Sequence, residues 1–477
     1  MNASTQMQPA LLLPEIIVFV GGLAVLLGGS FLPRHRQWIS RAAAALVLLV
    51  TAIVAALAMA GPPQTAFSGT FAVDTATGAA RVIAVLSTLL ILGIASGELA
   101  GSRRESDTYA LLLFATTGVM VLAGATDLLV LIVGFLLASI PLYAIVGLTG
   151  GAAGAEAAMK TYFLGALSGI ILMLGVTVLY ALTGGTDYAR LAEALPGAHF
   201  GAVGVGVLCV LAGLLFKAGG VPFHFWVPDA AQGTGVTAAT FLTTVPKIGA
   251  IVAIYRFVGT MSVGNDSWLI VVAILATASM FLGNLAAYWQ RDPRRLLGWS
   301  TVAQVGFLLV PVAAAGRSDL ALPSMLFYLG AYALANIGAF AVTAALPDCR
   351  DLTSYRGLAR TRPGLAAALL VSLLGLVGIP PLAVFVGKFT TATAAWDGGH
   401  GWLALLVMIN SLLSLFYYLR WFGPVFARPT SGSPGFPSLR GSARWPWATA
   451  AIASIASLGL GISAGFLWQG LAGELLF

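Results

Sequence analysis

Charge is what this 477-residue chain has least of. Asp, Glu, Lys and Arg make up 9% of it, whereas a soluble domain carries about 25%. Too few charged side chains exist to coat a water-soluble globule. Cysteine is nearly absent. Cys209 and Cys349 stand far apart and form no CxxC, so neither an iron–sulfur cluster nor a zinc site is indicated. The four histidines (His35, His199, His224 and His400) are scattered, which argues against haem-type pairing. No GxGxxG follows a strand, and no GxxxxGK precedes a Ser or Thr, so there is no sign of a dinucleotide site or phosphate loop. No nucleophile–base set stands out, and no redox chemistry is expected of this chain itself. Met1 to Ala10 holds no basic residue before the first apolar run, which argues against a cleaved signal peptide.

Hydrophobic residues fill the space, at 59% of the chain. Apolar runs of about 20 residues, enough to cross a hydrocarbon core, recur from end to end. They number 14, from 11–32 to 447–468. Gaps after odd-numbered spans hold 15 arginines, and gaps after even-numbered spans only four, Arg81, Arg190, Arg256 and Arg317. The positive-inside rule then places both termini outside and the arginine-rich loops in the cytoplasm. The net charge of +7 therefore reflects a membrane face, with lipid as the expected surroundings and no nucleic-acid partner. The fold class is all-α and polytopic.

Lysine is the other scarce residue. There are four, Lys160, Lys217, Lys247 and Lys388, and all lie within long apolar stretches, while the 20 arginines sit almost entirely in the polar gaps. Lysine can lose its proton when desolvated and arginine effectively cannot. Each lysine near the membrane centre costs about 2.5–3.5 kcal/mol on insertion scales. Lysines reserved for the interior point to moving protons or ions through it. Lys160 follows Glu156 by four residues and could share a helix face with it. This lysine is also the one closest to a span end, where snorkelling would explain it. His224 follows Lys217 by seven residues and can exchange protons near neutral pH. Asp229, between spans 7 and 8, could neutralise a nearby cation.

Two spans are interrupted. Span 7 runs into Lys217-Ala-Gly-Gly-Val-Pro-Phe-His224, and span 12 into Gly378-Ile-Pro-Pro381 with Lys388 following. Broken helices at corresponding places suggest inverted repeats around a midplane pathway. Five spans separate the breaks, an odd offset that inverts topology. The expected organisation is spans 1–3 over 1–107, a first repeat over 108–260, a second over 261–428, and a last loop and span over 429–477.

Lys217-Ala-Gly-Gly-Val-Pro-Phe-His-Phe-Trp-Val-Pro-Asp229, with Gln232-Gly233 and Pro246-Lys247, resembles the central motif of antiporter-like membrane subunits, as does Gly378-Ile-Pro-Pro-Leu-Ala-Val-Phe-Val-Gly-Lys388-Phe. Supporting stretches are Phe67 to Asp74, Ser139 to Tyr143, Glu156 to Lys160, Leu296 to Gly306 and Tyr332 to Phe340. The resemblance spans nearly the whole chain and is strongest to the subunit N family of bacterial NADH-quinone oxidoreductase, respiratory complex I. It implies 14 helices with two inverted five-helix repeats, and a proton path through Lys217, Lys247 and Lys388. It further implies that neighbouring membrane subunits are partners, and that NADH, FMN, iron–sulfur clusters and quinone are handled in partner subunits. The implied location is the inner (cytoplasmic) membrane.

The sequence departs from the family's pattern in three places. Family members carry a glutamate in span 5, paired with the span 7 lysine; aligned on Ser139-Ile-Pro-Leu-Tyr143, that position is Leu136. Lys217 is then left neutral for much of a cycle, or pairs elsewhere, for instance with Glu156. Ala230-Ala231 stands for the usual Val-Tyr, and Gly235 for the usual Pro. A divergent copy with altered or lapsed pumping, a cation/proton antiporter or membrane hydrogenase subunit, and a stand-alone transporter all remain open at this point.

Overall fold

The computed structural model describes residues 7–263, 265–428, 444–473 and 475–476; Arg440, counted among the 15 arginines above, and the loop 429–443 lie outside them. The chain folds almost entirely as helices. The first six are α1 (Leu13–Phe31), α2 (Trp38–Met59), α3 (Thr75–Leu99), α4 (Glu105–Gly124), α5 (Leu128–Gly147) and α6 (Ala152–Thr183). A short α7 (Tyr188–Ala194) leads to α8 (Phe200–Ala218), α9 (Trp226–Gly233), α10 (Val236–Met261), α11 (Ser267–Ala287) and α12 (Pro293–Leu309). Next come α13 (Ala321–Ala345), α14 (Leu358–Thr361), α15 (Pro363–Val377), α16 (Ala383–Asp397), α17 (Gly401–Phe426), α18 (Arg444–Ile462) and α19 (Ala464–Leu471). Thirteen of the described helices are long and apolar enough to cross a membrane. The split pair α15 and α16 occupies the stretch assigned to span 12.

Aspartates start several of these helices. Asp74, Asp127, Asp187 and Asp292 precede α3, α5, α7 and α12, and each side chain accepts first-turn amides that have no partner within the helix. Some elements were not legible beforehand. Gln64–Ala66 pairs antiparallel with Phe71–Val73. The last span also ends at Ile462, earlier than expected, and α19 follows as a separate helix.

Both breaks end a helix in the same way. At α8, the amides of Gly219 and Gly220 both reach Leu215 O, at 2.7 and 2.9 Å; at α15, those of Gly378 and Ile379 both reach Leu374 O, at 3.0 and 3.1 Å. Gly219 (φ 80°) and Gly378 (φ 90°) take the left-handed conformation, which costs a glycine nothing. The prolines that follow have no N–H to continue either helix. Each break also contains a cis peptide bond, Val221–Pro222 and Pro380–Pro381.

The helix α10 is the axis of the molecule. It is buried along nearly its whole length, as are α12 and α13, while α1 and α2 remain largely exposed to what surrounds the bundle. Close helix pairs are set by glycines. Gly118 of α4 abuts the Ala138 backbone of α5 and Gly134 of α5 abuts Leu122 of α4; Gly283 of α11 abuts Ala303 of α12 and Gly306 of α12 abuts Met280 of α11. Small residues let membrane helices approach closely. The two pairs belong to spans 4–5 and spans 9–10.

The sorting of arginine into polar gaps is not complete. Arg81 and Arg256 lie within α3 and α10 and are fully buried. Arg81 holds Glu15 of α1 through two bonds of 2.7 and 2.8 Å. Arg256 reaches Asp74 Oδ1 at 2.5 Å, Thr77 Oγ1 at 2.8 Å, Ala123 O at 2.8 Å and Leu476 O at 2.8 Å. A carboxylate partner makes a buried guanidinium tolerable, and from the sequence neither pairing could be seen.

Candidate functional site

The three deep lysines are all buried, at 1% exposure for Lys217, 0% for Lys247 and 4% for Lys388. No described ion pair includes any of them. Backbone carbonyls take the place of carboxylates, and the breaks supply them. Lys388, in the second turn of α16, donates to Leu376 O (3.1 Å) and Val377 O (2.9 Å). Those carbonyls end α15 and lack intrahelical partners, and a helix C-terminus favours a cation. The Phe307 ring centroid lies 4.0 Å from the Lys388 amine, which suits a cation–π contact.

Lys247 owes its acceptor to the residue before it. Pro246 sits inside α10 and has no N–H for the carbonyl of Leu242, four residues earlier. The Lys247 amine takes that carbonyl at 2.7 Å and lies 4.9 Å from the Trp226 ring. Trp226 in turn donates from Nε1 to Phe216 O, next to Lys217, at 3.1 Å. Lys217 is the least supported of the three. Its amine has no hydrogen-bond partner among the described residues and rests 5.1 Å from the Phe135 ring on α5.

Lys160 belongs to a different cluster. It contacts Glu156 at 2.7 Å and Asp229 at 2.6 Å, and its side chain is 43% exposed. Asp229 also holds Arg295 at 2.6 Å. Glu156 is therefore engaged at this partly exposed site and does not serve Lys217, contrary to one expectation from the sequence. His224 is buried at the break between α8 and α9, with ring centroids of Phe225 and Trp299 at 4.3 and 5.5 Å.

The structure adds residues that sequence reasoning missed. On α13, Tyr328, Tyr332 and Asn336 recur every four residues and share one face. Asn336 Nδ2 donates to Thr243 Oγ1 (3.0 Å) and Thr244 Oγ1 (2.8 Å) of α10, one turn before Lys247. Tyr332 donates to Thr243 O (2.7 Å) and meets Thr301 Oγ1 of α12 at 3.1 Å. Tyr328 donates to Gln304 Oε1 of α12 at 2.5 Å, and Gln304 Nε2 donates to Leu376 O at 2.9 Å. Leu376 O is also a Lys388 acceptor. A buried polar strip on α12 and α13 thus runs from the surroundings of Lys247 to the carbonyl that holds Lys388. The signal available beforehand was the spacing of uncharged polar residues in spans 10 and 11, which charge-based reading passes over.

Residues 125–414 match the family model described as "NADH:quinone oxidoreductase/Mrp antiporter, TM". The chain is 60% identical over 469 residues to NADH-quinone oxidoreductase subunit N of Mycobacterium sp. (strain JLS), covering 98% of this chain and 99% of that one. Subunit N 1 of Streptomyces griseus is 46% identical over 472 residues, covering 99% of each. Among solved structures, a chain of respiratory complex I from Thermus thermophilus with bound aureothin superposes with a TM-score of 0.81 at 30% identity, covering 97% of this chain and all of that one. A chain of the Mrp complex from Dietzia sp. DQ12-45-1b shares the fold, with a TM-score of 0.84 at 24% identity over 99% and 97% of the two chains.

Proposed function

The chain belongs to the subunit N family of NADH-quinone oxidoreductase, and from that premise we propose that it translocates protons through Lys217, Lys247 and Lys388, driven by quinone reduction elsewhere in the complex. It is a multi-pass membrane protein, and the other membrane subunits of the complex are its partners. The redox cofactors (NADH, FMN, iron–sulfur clusters and quinone) belong to partner subunits in this reading. The chain sits in the inner membrane with both termini outside. The repeats span 108–260 and 261–428, and their matched breaks and matched glycine-packed pairs support that division.

One observation carries the reading. Three buried lysines have no acid partners, two of them rest on carbonyls freed by proline or a helix end, and a polar strip links the surroundings of Lys247 to Lys388. An amine held this way can give up and regain its proton without stranding a carboxylate. Lys160, Glu156, His224 and Asp229 play supporting parts: Asp229 ties α9 to α6 and α12 through Lys160 and Arg295, which fixes the segment after the first break.

The test uses the assembled complex in sealed inverted membrane vesicles, reading NADH-driven proton uptake against NADH oxidation. Lys247→Ala is expected to lower uptake strongly. Parental uptake in Lys247→Ala would overturn the reading. A second reading, in which the first half no longer conducts, draws on the unpartnered Lys217 amine and on Leu136. It predicts that Lys217→Ala lowers uptake far less than Lys247→Ala does. Leu136→Glu restores the family's carboxylate one residue, about 100° of helix turn, from Phe135. A gain or shift in uptake is expected from it, and an unchanged profile would count against a defect at that position.

A further inference from the structure

Glu98, the penultimate residue of α3, reaches across to the start of α10. Its Oε1 accepts from Val236 N at 3.0 Å and its Oε2 from Thr237 N at 2.8 Å. These are first-turn amides, which have no acceptor within their own helix and sit at its positive end. The residue at the head of α10 is Gly235, which has no side chain for that task. Gly235 instead makes room, since a Cβ there would collide with the Glu98 carboxylate. Its N–H donates to Thr149 Oγ1 at 3.0 Å. A proline, the residue the family pattern has here, could not make that bond. The departure at Gly235 and the cap from Glu98 belong together.

Two cavities of 360 and 580 Å³ open beside this junction, and Glu98, Thr149 and Gly235 line both. Glu98 itself is exposed. Thr237 lines the smaller cavity, is 2% exposed, and its hydroxyl has no hydrogen-bond partner among the described residues. From it, Thr240, Thr244 and Lys247 follow at spacings of three, four and three residues, all buried and on one helix face. The stripe covers about 15 Å at 1.5 Å per residue.

We propose that Glu98 is the proton-collecting carboxylate of this chain, loading Lys247 along the threonine stripe while also capping α10. A proton from the aqueous cavity binds the carboxylate and neutralises it. It then leaves through hydroxyls and cavity water to the neutral Lys247 amine, which becomes an ammonium, and Glu98 returns to a carboxylate. The proposal rests on Lys247 carrying protons.

The charged and titratable groups lining the two cavities with Glu98 are Arg103 and Arg104 after α3, Asp292 and Arg294 at the head of α12, and Cys349 and Arg350 after α13. Asp292 is occupied by the amides of Arg294 and Arg295. Burial pushes the Cys349 thiol up to about 11, so it stays protonated throughout the test.

The experiment measures proton uptake per NADH oxidised by the assembled complex in inverted vesicles between about pH 6 and pH 9. Glu98→Gln keeps a carbonyl acceptor for one amide and removes the proton site. Uptake is expected to fall by about threefold at the alkaline end, where protons are scarce, and to approach the parental value at the acid end. Glu98→Asp, which keeps a carboxylate, should retain the parental pH profile. Equal losses in both variants at every pH would reduce Glu98 to a helix cap and overturn the proposal, as would a parental profile in Glu98→Gln. If Glu98→Gln does not assemble, Glu98→Asp decides by the same profile. Lys247→Ala, run alongside, separates the two failures: parental uptake there removes the lysine pathway itself, whereas lost uptake there with a parental Glu98→Gln profile removes only the role of Glu98.

Discussion

Lys388→Ala should lower NADH-driven proton uptake by about tenfold or more, since only about 1.4 kcal/mol added to the transfer barrier gives that factor. The amine is the one group at the second break that can switch charge, and two carbonyls, Leu376 O and Val377 O, converge on it. Removing it also leaves Val377 O without this donor, at a cost of about 1–3 kcal/mol for an unsatisfied buried acceptor, while Leu376 O keeps Gln304 Nε2. Loss of uptake could then reflect a collapsed break. Lys388→Arg resolves this. A guanidinium can still donate to both carbonyls but effectively never deprotonates, so the complex should assemble and still fail to pump. Pumping by Lys388→Arg at the parental rate would show that no charge switch at this position is needed. The polar strip adds a graded counterpart. Gln304→Leu cuts the link between Tyr328 and Leu376 O and should slow uptake less than Lys388→Ala does.

The second large effect is on stability. Asp74→Ala should cost about 3–5 kcal/mol, because it strands the fully buried Arg256 guanidinium. Asp74 does three jobs at once. It caps α3 through Thr77 N (3.0 Å), pairs with Arg256 (2.5 Å), and accepts from Leu476 N (3.0 Å). The cap alone is worth about 1 kcal/mol. Arg256 meanwhile ties α10 to the end of α4 through Ala123 O. The measurable outcome is loss of this subunit from the assembled complex, or a marked drop in its thermal stability. The double variant Asp74→Leu, Arg256→Leu removes both charges together, and should recover much of the loss if the unpaired cation is the cause. A double variant as unstable as Asp74→Ala would place the cost in the cap and the Leu476 contact instead.

Much of the architecture could be read from the residues. Fourteen apolar runs became thirteen long helices and one split pair, because lipid demands that each span satisfy its own backbone. The two breaks were legible for the same reason: Gly219 and Gly378 adopt conformations other residues avoid, and the prolines after them cannot donate. The depth of Lys217, Lys247 and Lys388 was legible from their apolar flanks. Their partners were not. The carbonyl that Pro246 frees for Lys247 could have been inferred from the dipeptide, but the pairing of Lys388 with the end of α15 requires the chain to double back across the break. Lys160 lies in an apolar stretch of the sequence, yet it reaches Asp229, which Arg295 also holds, at a partly exposed site because α6 packs against α9.

The sequence by itself determined the membrane class, the apolar runs, the breaks and the burial of Lys217, Lys247 and Lys388, but not that of Arg81 and Arg256, since the former depend on local composition and on backbone rules that hold wherever the segment sits. Tertiary structure alone decided what those cations touch. Contacts such as Tyr332 with Thr243, Gln304 with Leu376, Arg256 with Asp74 and Glu98 with the first turn of α10 join residues 72 to 182 positions apart. Helix packing brings them together, and no local pattern records it.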